Sequence, residues 1–177
     1  MHGLGAHREY RWLVDALRNQ KTRQTRLVWF HLTSFLSHAA MISKYLSPKS
    51  KSETAVARKK ALCNLLHVDL DSEVLPRDAR NNIEHFDERI DNWIGNTNQN
   101  ILEIVLQNRA GYEYMRVAEK RVKRVLILEE LVFISEKNDG SKFELTLEPL
   151  REEVERINTG ADQWIAEHSP HHFIHPR

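Results

Sequence analysis

Residues 75–93, LPRDARNNIEHFDERIDNW, concentrate side chains of the types that carry acid–base and phosphate chemistry. The stretch holds five acids, three arginines, three asparagines and one histidine around a thin set of apolar residues. Charged runs on helices are usually solvent-exposed faces. However, Lys and Glu normally dominate such faces, and asparagine lowers helix propensity. The asparagines 81, 82 and 92 therefore hint that this segment uses its polar side chains for a purpose other than solubility.

The segment has the pattern of an amphipathic helix from about Pro76 to Trp93. Proline suits the first turn of a helix, and Gly95 suits its end. At 100° per residue, one third of the circumference collects the apolar side chains of Ile83, Phe86, Ile90, Trp93 and Ile94. The opposite side collects Asn81, His85, Glu88 and Asn92. The polar back of this helix is therefore expected to face either water or a functional site.

Within this helix, Arg80 is followed by a polar residue, three further residues and His85. This Arg-x4-His arrangement resembles the signature of the HEPN superfamily of small helical bundles. Many of its members are RNases of toxin–antitoxin, phage-defence and RNA-processing systems, and others are non-catalytic. The resemblance covers residues 74–94, with helices at 22–46 and 52–67 as bundle partners. It implies a metal-independent endoribonuclease that needs no cofactor and whose site is shared by the two protomers of a homodimer.

The resemblance also implies a role for each residue of the motif. Arg80 and His85 would be catalytic, with arginine binding the phosphate and histidine moving protons. Positions five apart on a helix lie roughly 140° apart around its axis, so one chain cannot aim both side chains at one phosphate. Two helices meeting across a symmetric interface remove this difficulty. Asn81 is expected to orient His85 or the phosphate, and Glu84 to pair with Arg80.

The remaining sequence predicts the elements that position this helix. Helices are expected at 8–20, 27–46, 52–67 and 148–168, from apolar residues spaced three and four apart. Two β-type runs at 125–135 and 142–148 flank an Asp-Gly turn signal and predict a hairpin. Residues 101–108 fit either a short strand or a helical turn. The expected fold is mainly α: a HEPN-like helical bundle with a small C-terminal β-hairpin and a final helix. We divide the single domain, 1–177, into a core at 22–98, the hairpin addition at 125–148 and a flexible tail at 168–177.

Other groups of residues have weaker chemical interpretations. His31, Ser34 and His38 lie on one face of the second helix, and His38 in particular is a candidate to support the Arg80–His85 site. More often such residues are satisfied core or boundary positions. Residues 116–124, RVAEKRVKR, are the best local patch for phosphate backbones, although a solvated connector fits equally well. The histidines of the tail could bind a transition metal adventitiously. Glu84, Glu88 and Asp91 lack the second Glu-x-x-His helix that a two-metal bundle site requires.

Composition limits the alternatives. The 26 basic and 25 acidic residues give a net charge of +1, so a nucleic-acid partner would require a local basic patch. The single cysteine, Cys63, excludes an internal disulfide and is expected to be a small buried hydrophobe in a reducing compartment. No stretch has the 18 or so apolar residues of a membrane span, and the first residues lack a signal-peptide pattern. The sequence therefore predicts a cytoplasmic protein with no membrane association.

Two functions remain open at the level of sequence. The first is RNA cleavage by the Arg80–His85 pair in a homodimer. The second is a non-catalytic module of the same fold, whose motif helix forms only a dimer seam or a protein contact. A third arrangement combines them, with activity held off by a cognate antitoxin or another partner protein encoded elsewhere.

Overall fold

The computed structural model describes residues 2–18, 25–69, 71–74, 81–83, 91, 101–115, 122–137 and 139–169. In chain order the elements are α1 His2–Arg18, α2 Thr25–Leu46, α3 Glu53–Leu65, β1 Ile101–Leu106, α4 Arg109–Met115, β2 Val122–Ile127, β3 Val132–Glu136, β4 Lys142–Thr146 and α5 Leu147–His168. Residues 81–83 and 91 are also helical. The mainly helical class predicted from the sequence is confirmed at this coarse level.

Helices α1 and α2 run antiparallel and pack closely, because α1 carries small residues where it meets its neighbours. A Cβ atom added to Gly5 would lie 2.5 Å from the His38 ring of α2. A Cβ atom added to Gly3 would lie 2.1 Å from Asn158 Oδ1 of α5. These two glycines let α1 begin at His2, six residues before the expected start at residue 8. The N-terminal turn of α1 therefore packs closely against both α2 and α5.

The start of α3 follows the capping signal in the sequence. Ser52 has extended backbone angles, and its Oγ accepts a hydrogen bond from the backbone N–H of Ala55 at 3.3 Å. This bond satisfies one of the N–H groups left open at a helix start. The sequence-based assignment of Ser52 as the beginning of this helix is confirmed.

The sheet has four strands in the order β1-β2-β3-β4. Strands β1 and β2 are parallel, and the crossover between them contains α4. The pairs β2–β3 and β3–β4 are antiparallel. The segment 101–108, which the sequence left open, thus contributes a strand. The predicted hairpin around Asp139 and Gly140 is confirmed as β3–β4.

The sequence-based strand at 125–135 was wrong in its extent. The run contains the end of β2, a turn at 128–131 and all of β3. The turn is hard to recognise because its residues are Leu-Glu-Glu-Leu, without glycine, proline or asparagine. Leu131 instead adopts a φ of 48°, in the left-handed region that such side chains rarely occupy. Three sequential antiparallel strands therefore replace the expected single hairpin.

Each face of the sheet has its own apolar cluster. Leu126, Phe133 and Leu145 are cross-strand neighbours and pack with buried residues of α1, α2 and α5 in the main core. The alternate residues of β2 and β3, together with Tyr112 of α4, form a smaller cluster on the opposite face. Side chains alternate between faces along a strand. The helices and the sheet therefore share one core, and the face of the sheet toward the helices also carries Arg124 and Ser135.

The last helix, α5, is continuous from Leu147 to His168. Gly160, which weakens the helical pattern in the sequence, lies inside it, and buried Leu150, Val154 and Ile157 form the expected inner face. His168, the first residue of the predicted flexible tail, belongs to the helix and stacks on Trp164 with ring centroids 4.5 Å apart. Residues 170–177 lie outside the described part of the chain. No described helix is long and apolar enough to cross a membrane.

Candidate functional site

The middle of the Arg80–His85 motif lies within the described residues. Asn81, Asn82 and Ile83 are helical, whereas Arg80, Glu84 and His85 lie outside the described part of the chain. Ile83 is partly buried against the main core, in agreement with its predicted place on the apolar face. The roles assigned to Arg80, His85 and Glu84 therefore stay predictions. The three described residues show how the motif joins the rest of the fold.

Asn82 is wholly buried, and hydrogen bonds connect both ends of its amide to the sheet. Its Nδ2 donates to Ser135 Oγ at 2.6 Å and to the backbone oxygen of Glu136 at 3.3 Å. Its Oδ1 accepts from Arg124 Nη2 at 3.2 Å. A buried amide requires such partners, because leaving one end unsatisfied costs about 1–3 kcal/mol. These hydrogen bonds therefore attach the motif helix to β2 and β3 at Asn82.

The partners of Asn82 belong to a polar row that crosses the sheet. Glu103 of β1, Arg124 of β2 and Ser135 of β3 are successive cross-strand neighbours. The Arg124 side chain is only 2% exposed, and its Nη1 lies 3.3 Å from Glu103 Oε1. A buried guanidinium needs a carboxylate and further acceptors to offset its loss of water. The polar row thus provides Asn82 with a charged and a hydroxyl hydrogen-bond partner, Arg124 and Ser135.

Asn81 has an acceptor that the described residues leave unused. Its Oδ1 is buried and has no hydrogen-bond partner within the described part of the chain. The whole residue is half-buried, so this asparagine is not on a fully solvated face. An unpaired buried carbonyl oxygen is unfavourable unless a donor approaches it. Asn81 is therefore available to accept a hydrogen bond from a ring nitrogen, a guanidinium or a ligand.

His38, the proposed supporting residue, lies against the start of α1. Its Nδ1 is 3.3 Å from His2 Nδ1, and the two rings are tilted with centroids 5.5 Å apart. Burial lowers the pKa of His38, and the adjacent His2 lowers it further. The neutral imidazole is therefore the favoured form. Whether His38 acts on the Arg80–His85 pair stays a prediction, because that pair lies outside the described residues.

A second histidine of α2 is held by a buried acid that the sequence reading passed over. His31 Nδ1 lies 2.9 Å from Glu9 Oε2, and Arg8 Nη2 lies 3.2 Å from Glu9 Oε1. Since a carboxylate can only accept, the bond fixes the proton on Nδ1 of the ring. The available signal was the position of Glu9, which falls on the buried face of α1 beside Ala6, Tyr10 and Leu13. An acid at such a position indicates a partner on the facing helix.

Two exposed aromatic side chains flank this pair. Trp12 of α1 and Phe30 of α2 lie with ring centroids 5.4 Å and 5.2 Å from that of His31. The Arg8 guanidinium stands over the Trp12 ring at 5.0 Å from its centroid. Neither aromatic was singled out from the sequence, because both fit a helical pattern in which large apolar residues normally face the core. Their exposure is a property of how α1 and α2 pair.

The predicted basic patch at 116–124 is partly incorporated into the sheet. Lys123 and Arg124 are buried residues of β2. Lys123 Nζ lies 3.1 Å from Glu136 Oε2, and Arg124 pairs with Glu103 as described above. These two cations are therefore not available to a phosphate backbone, which corrects that interpretation for them. Residues 116–121 lie outside the described part of the chain.

An open acidic hollow lies between α5 and residues 69 and 71–73. Its volume is about 390 Å³, and its charged lining residues are Asp69, Asp71, Glu73, Glu152, Glu153 and Arg156. Arg156 binds Glu153 through two nitrogens at 2.7 and 2.8 Å, and this arginine lowers the pKa of Glu153. Within the described residues, no group of three or more histidines, cysteines or acids is arranged to hold a metal ion. The acidic lining would repel a phosphate backbone.

Comparison of the chain with protein-family models, with curated proteins and with solved structures gave no match in any of the three.

Proposed function

We propose that this protein is a HEPN-like, metal-independent endoribonuclease that works as a homodimer, with Arg80 and His85 as its catalytic pair. The observation that carries the proposal is the burial of Asn82 within the motif and its bonds to Arg124 and Ser135. A helix that served only as a solvated surface would not need a wholly buried asparagine bonded to a charged row of the sheet. Catalytic groups, in contrast, need supporting contacts that fix their geometry.

In this proposal each residue of the motif acts on one phosphodiester. One His85 takes the proton of the 2′-hydroxyl, and the 2′-oxygen then attacks phosphorus. The bond from phosphorus to the 5′-oxygen breaks, and the leaving oxygen receives a proton from the partner's His85. Arg80 binds the non-bridging oxygens and stabilises their charge. The products are a 2′,3′-cyclic phosphate and a 5′-hydroxyl.

Asn81 and Glu84 position this pair. The buried Oδ1 of Asn81 supports an acceptor role, because it lacks a partner within the described part of the chain. In the proposal it accepts the N–H of the His85 ring, which leaves the other ring nitrogen free to take a proton. Glu84 pairs with Arg80 and orients its guanidinium. His38, whose lowered pKa favours the neutral ring, is a secondary polar group for the same site.

The alternative function is a non-catalytic HEPN-like module for binding and dimerisation. The observation that favours it is the pair of exposed aromatic side chains, Trp12 and Phe30, which resemble the anchors of protein interfaces. In a combined form of the two functions, a cognate antitoxin or other protein partner would hold the ribonuclease inactive. The two functions differ in the expected effect of replacing Arg80 or His85: only the ribonuclease should lose RNA cleavage.

The test is cleavage of end-labelled RNA in excess EDTA by the wild type and by the Arg80→Ala and His85→Ala variants. We expect the wild type alone to cut, leaving 2′,3′-cyclic or 3′-phosphate ends, with at least a hundredfold loss in each variant, on the order of the effect of a general base. Arg58→Ala is the matched control, since Arg58 is exposed on α3. It should cleave like the wild type.

Absence of cleavage with every RNA by a folded dimer would contradict the proposal and favour the binding module. Equal cleavage by the wild type and both variants would place the activity elsewhere, in the protein or in a contaminant. Sedimentation of all four proteins gives the oligomeric state independently. If the wild type is a monomer and still cuts RNA, a composite site across a dimer interface is ruled out.

A further inference from the structure

One face of the α1–α2 pair combines exposed rings with positive charge. We define it as the aromatic–cationic surface, formed by Arg8, Trp12, Leu27, Phe30 and His31. Trp12 is 45% exposed, Leu27 44% and Phe30 60%. Isolated exposed apolar residues are normal, but a contiguous group of them marks an interaction site. The three rings are contiguous, because His31 contacts both Trp12 and Phe30.

The aromatic–cationic surface is built on a fixed base. Glu9 is buried beneath it and accepts bonds from His31 on α2 and from Arg8 on its own helix. This pairing holds the His31 ring in one orientation and neutralises the only acid under the surface that the described contacts show. The rings of Trp12 and Phe30 both contact this oriented His31 ring.

The charge of the two helices is locally positive, although that of the whole chain is nearly balanced. Helix α1 has the cations Arg8, Arg11 and Arg18 against Glu9 and Asp15, and α2 has Arg26 and Lys44 and no acid. Glu9 is buried and its charge is offset by that of Arg8, which leaves four cations against Asp15, the one exposed acid of the described α1–α2 pair. A nucleic-acid partner of a protein with a net charge of +1 requires such a local patch.

We infer that the aromatic–cationic surface is a stacking platform for single-stranded RNA, with bases on Trp12 and Phe30 and the backbone phosphate at Arg8. The inference rests on the proposed function, which makes RNA the substrate, and it adds where the strand outside the cleaved bond is held. Aromatic rings beside arginines bind single strands without sequence preference, because every base offers a flat face. Arg8 already lies over the Trp12 ring, and its side chain stays 60% exposed although one of its nitrogens pairs with Glu9.

A second copy of this chain fits the same surface less well. In a two-fold symmetric interface the same patch meets itself, so a surface of net positive charge would face a second surface of net positive charge. Like charges in contact disfavour such an arrangement. RNA supplies the negative charge that the surface lacks and flat bases that can stack on its rings. Dimerisation through this face is nevertheless an outcome that the experiment must be able to show.

The test is fluorescence anisotropy with a 5′-labelled, unstructured single-stranded RNA in EDTA, using full-length His85→Ala to prevent cleavage during the titration. In that background, Trp12→Ala and Phe30→Ala should each weaken binding about tenfold, the scale expected for loss of one stacked base. Arg8→Gln should lower the slope of log affinity against log salt by about 0.7, which corresponds to one phosphate contact on a single strand.

Trp164→Ala provides the matched control, because Trp164 on α5 is 40% exposed and its ring contacts that of a histidine, as the Trp12 ring does. It should bind RNA with the affinity of the His85→Ala parent. The inference is overturned if Trp12→Ala and Phe30→Ala both keep full affinity, or if Trp164→Ala loses as much. It is also overturned if the two platform variants become monomers while the parent is a dimer, since the surface would then be a protein interface.

The outcomes of this test and of the cleavage test are independent. RNA binding that depends on Trp12, in a wild-type protein that does not cut RNA, would remove the proposed ribonuclease and retain the platform. Cleavage that depends on Arg80 and His85, with binding unaffected by Trp12 or Phe30, would retain the ribonuclease and remove the platform. Melting curves of every variant show whether a lost affinity reflects a lost fold.

Discussion

Asn82 is the described residue at which the motif helix and the sheet depend most directly on each other. An asparagine in a helix interior is less favourable than alanine by several tenths of a kcal/mol. Here it is retained at a wholly buried position, where it satisfies the Arg124 guanidinium and the Ser135 hydroxyl. Its removal would leave both groups buried with fewer partners. Asn82 therefore contributes more to the free energy of unfolding than the energy of its own hydrogen bonds.

We expect Asn82→Ala to lower the free energy of unfolding by about 2–3 kcal/mol, the cost of unsatisfied buried partners that include a charged group. Urea unfolding followed by circular dichroism measures this, provided that the slope of the transition is unchanged. The control is Asn64→Ala, because Asn64 is exposed on α3 and alanine is the better helix former there. A loss below 0.5 kcal/mol at Asn82, matching the control, would mean that the polar row does not depend on this amide.

At the scale of elements, the β3–β4 connection shows how one turn specifies the register of two strands. Asp139 Oδ1 accepts from the backbone N–H of Ser141 at 3.0 Å and from its hydroxyl at 2.6 Å. These bonds lower the pKa of Asp139. Gly140 has a φ of +82°, which only glycine adopts without strain. The turn leads directly to the pair Glu136–Lys142 and thus to the register that aligns Ser135 with Phe143.

Two glycines should respond in opposite directions to alanine. Gly140→Ala places a side chain at positive φ and should destabilise the protein by about 1–2 kcal/mol. Gly160→Ala fills a helical position in α5 where the new Cβ would lie 3.7 Å from Leu66 Cδ2, an ordinary contact. It should stabilise by about 0.5–1 kcal/mol. Thermal melts compare the two, and a shift of the same sign in both would refute this explanation.

The sequence was informative about elements whose signals are local. The Ser52 cap, the Asp-Gly turn and the apolar spacing of α5 each depend on neighbours within a few residues, and each was recognised. Strand β1 was left open, because six mostly apolar residues fit a strand or a helical turn equally well. The β2–β3 turn was missed, because its conformation at Leu131 is imposed by packing and not by a turn-forming residue.

Features assembled from distant segments could be predicted only in part. The excess of asparagines in the motif helix hinted at a purpose, and Asn82 shows one, but nothing near it in sequence indicates Ser135 or Arg124. The aromatic–cationic surface joins residues 8–12 to 27–31 through the pairing of two helices. Periodicity places Trp12 and Phe30 on helices, yet it cannot say which of them the neighbouring helix leaves exposed.

At the scale of the whole molecule, titrating groups at the contacts among α1, α2 and α5 should make stability depend on pH. His38 lies against His2 at the α1–α2 contact, and its pKa is lowered by burial and by that neighbour. On α5, a hydrogen bond from the Tyr10 hydroxyl of α1 and another from Arg151 lower the pKa of Glu148. These groups respond to acid in different ranges, because an unperturbed histidine titrates near 6.5 and an unperturbed glutamate near 4.3.

The direction in which stability changes with pH follows from which state, folded or unfolded, binds more protons. A histidine whose pKa is lowered on folding takes up its proton more readily in the unfolded chain, so its contribution is complete above its ordinary value of 6.5. That contribution is lost as the pH falls through the lower, folded value. The lowered pKa of Glu148 acts the same way at more acidic pH, because the unfolded carboxylate protonates first. Stability should therefore decline in two ranges as the solution is acidified.

We expect the melting temperature to be nearly constant above pH 7 for the His38-dependent part, to fall as the pH drops below about 6.5, and to fall again below about pH 4.5. The difference between the wild type and His38→Gln isolates the first range, since glutamine cannot titrate there. Proton NMR of the His38 ring should give a titration midpoint below the ordinary histidine value of 6.5. A difference curve independent of pH, or a His38 midpoint above 6.5, would show that the α1–α2 contact does not prefer the neutral ring.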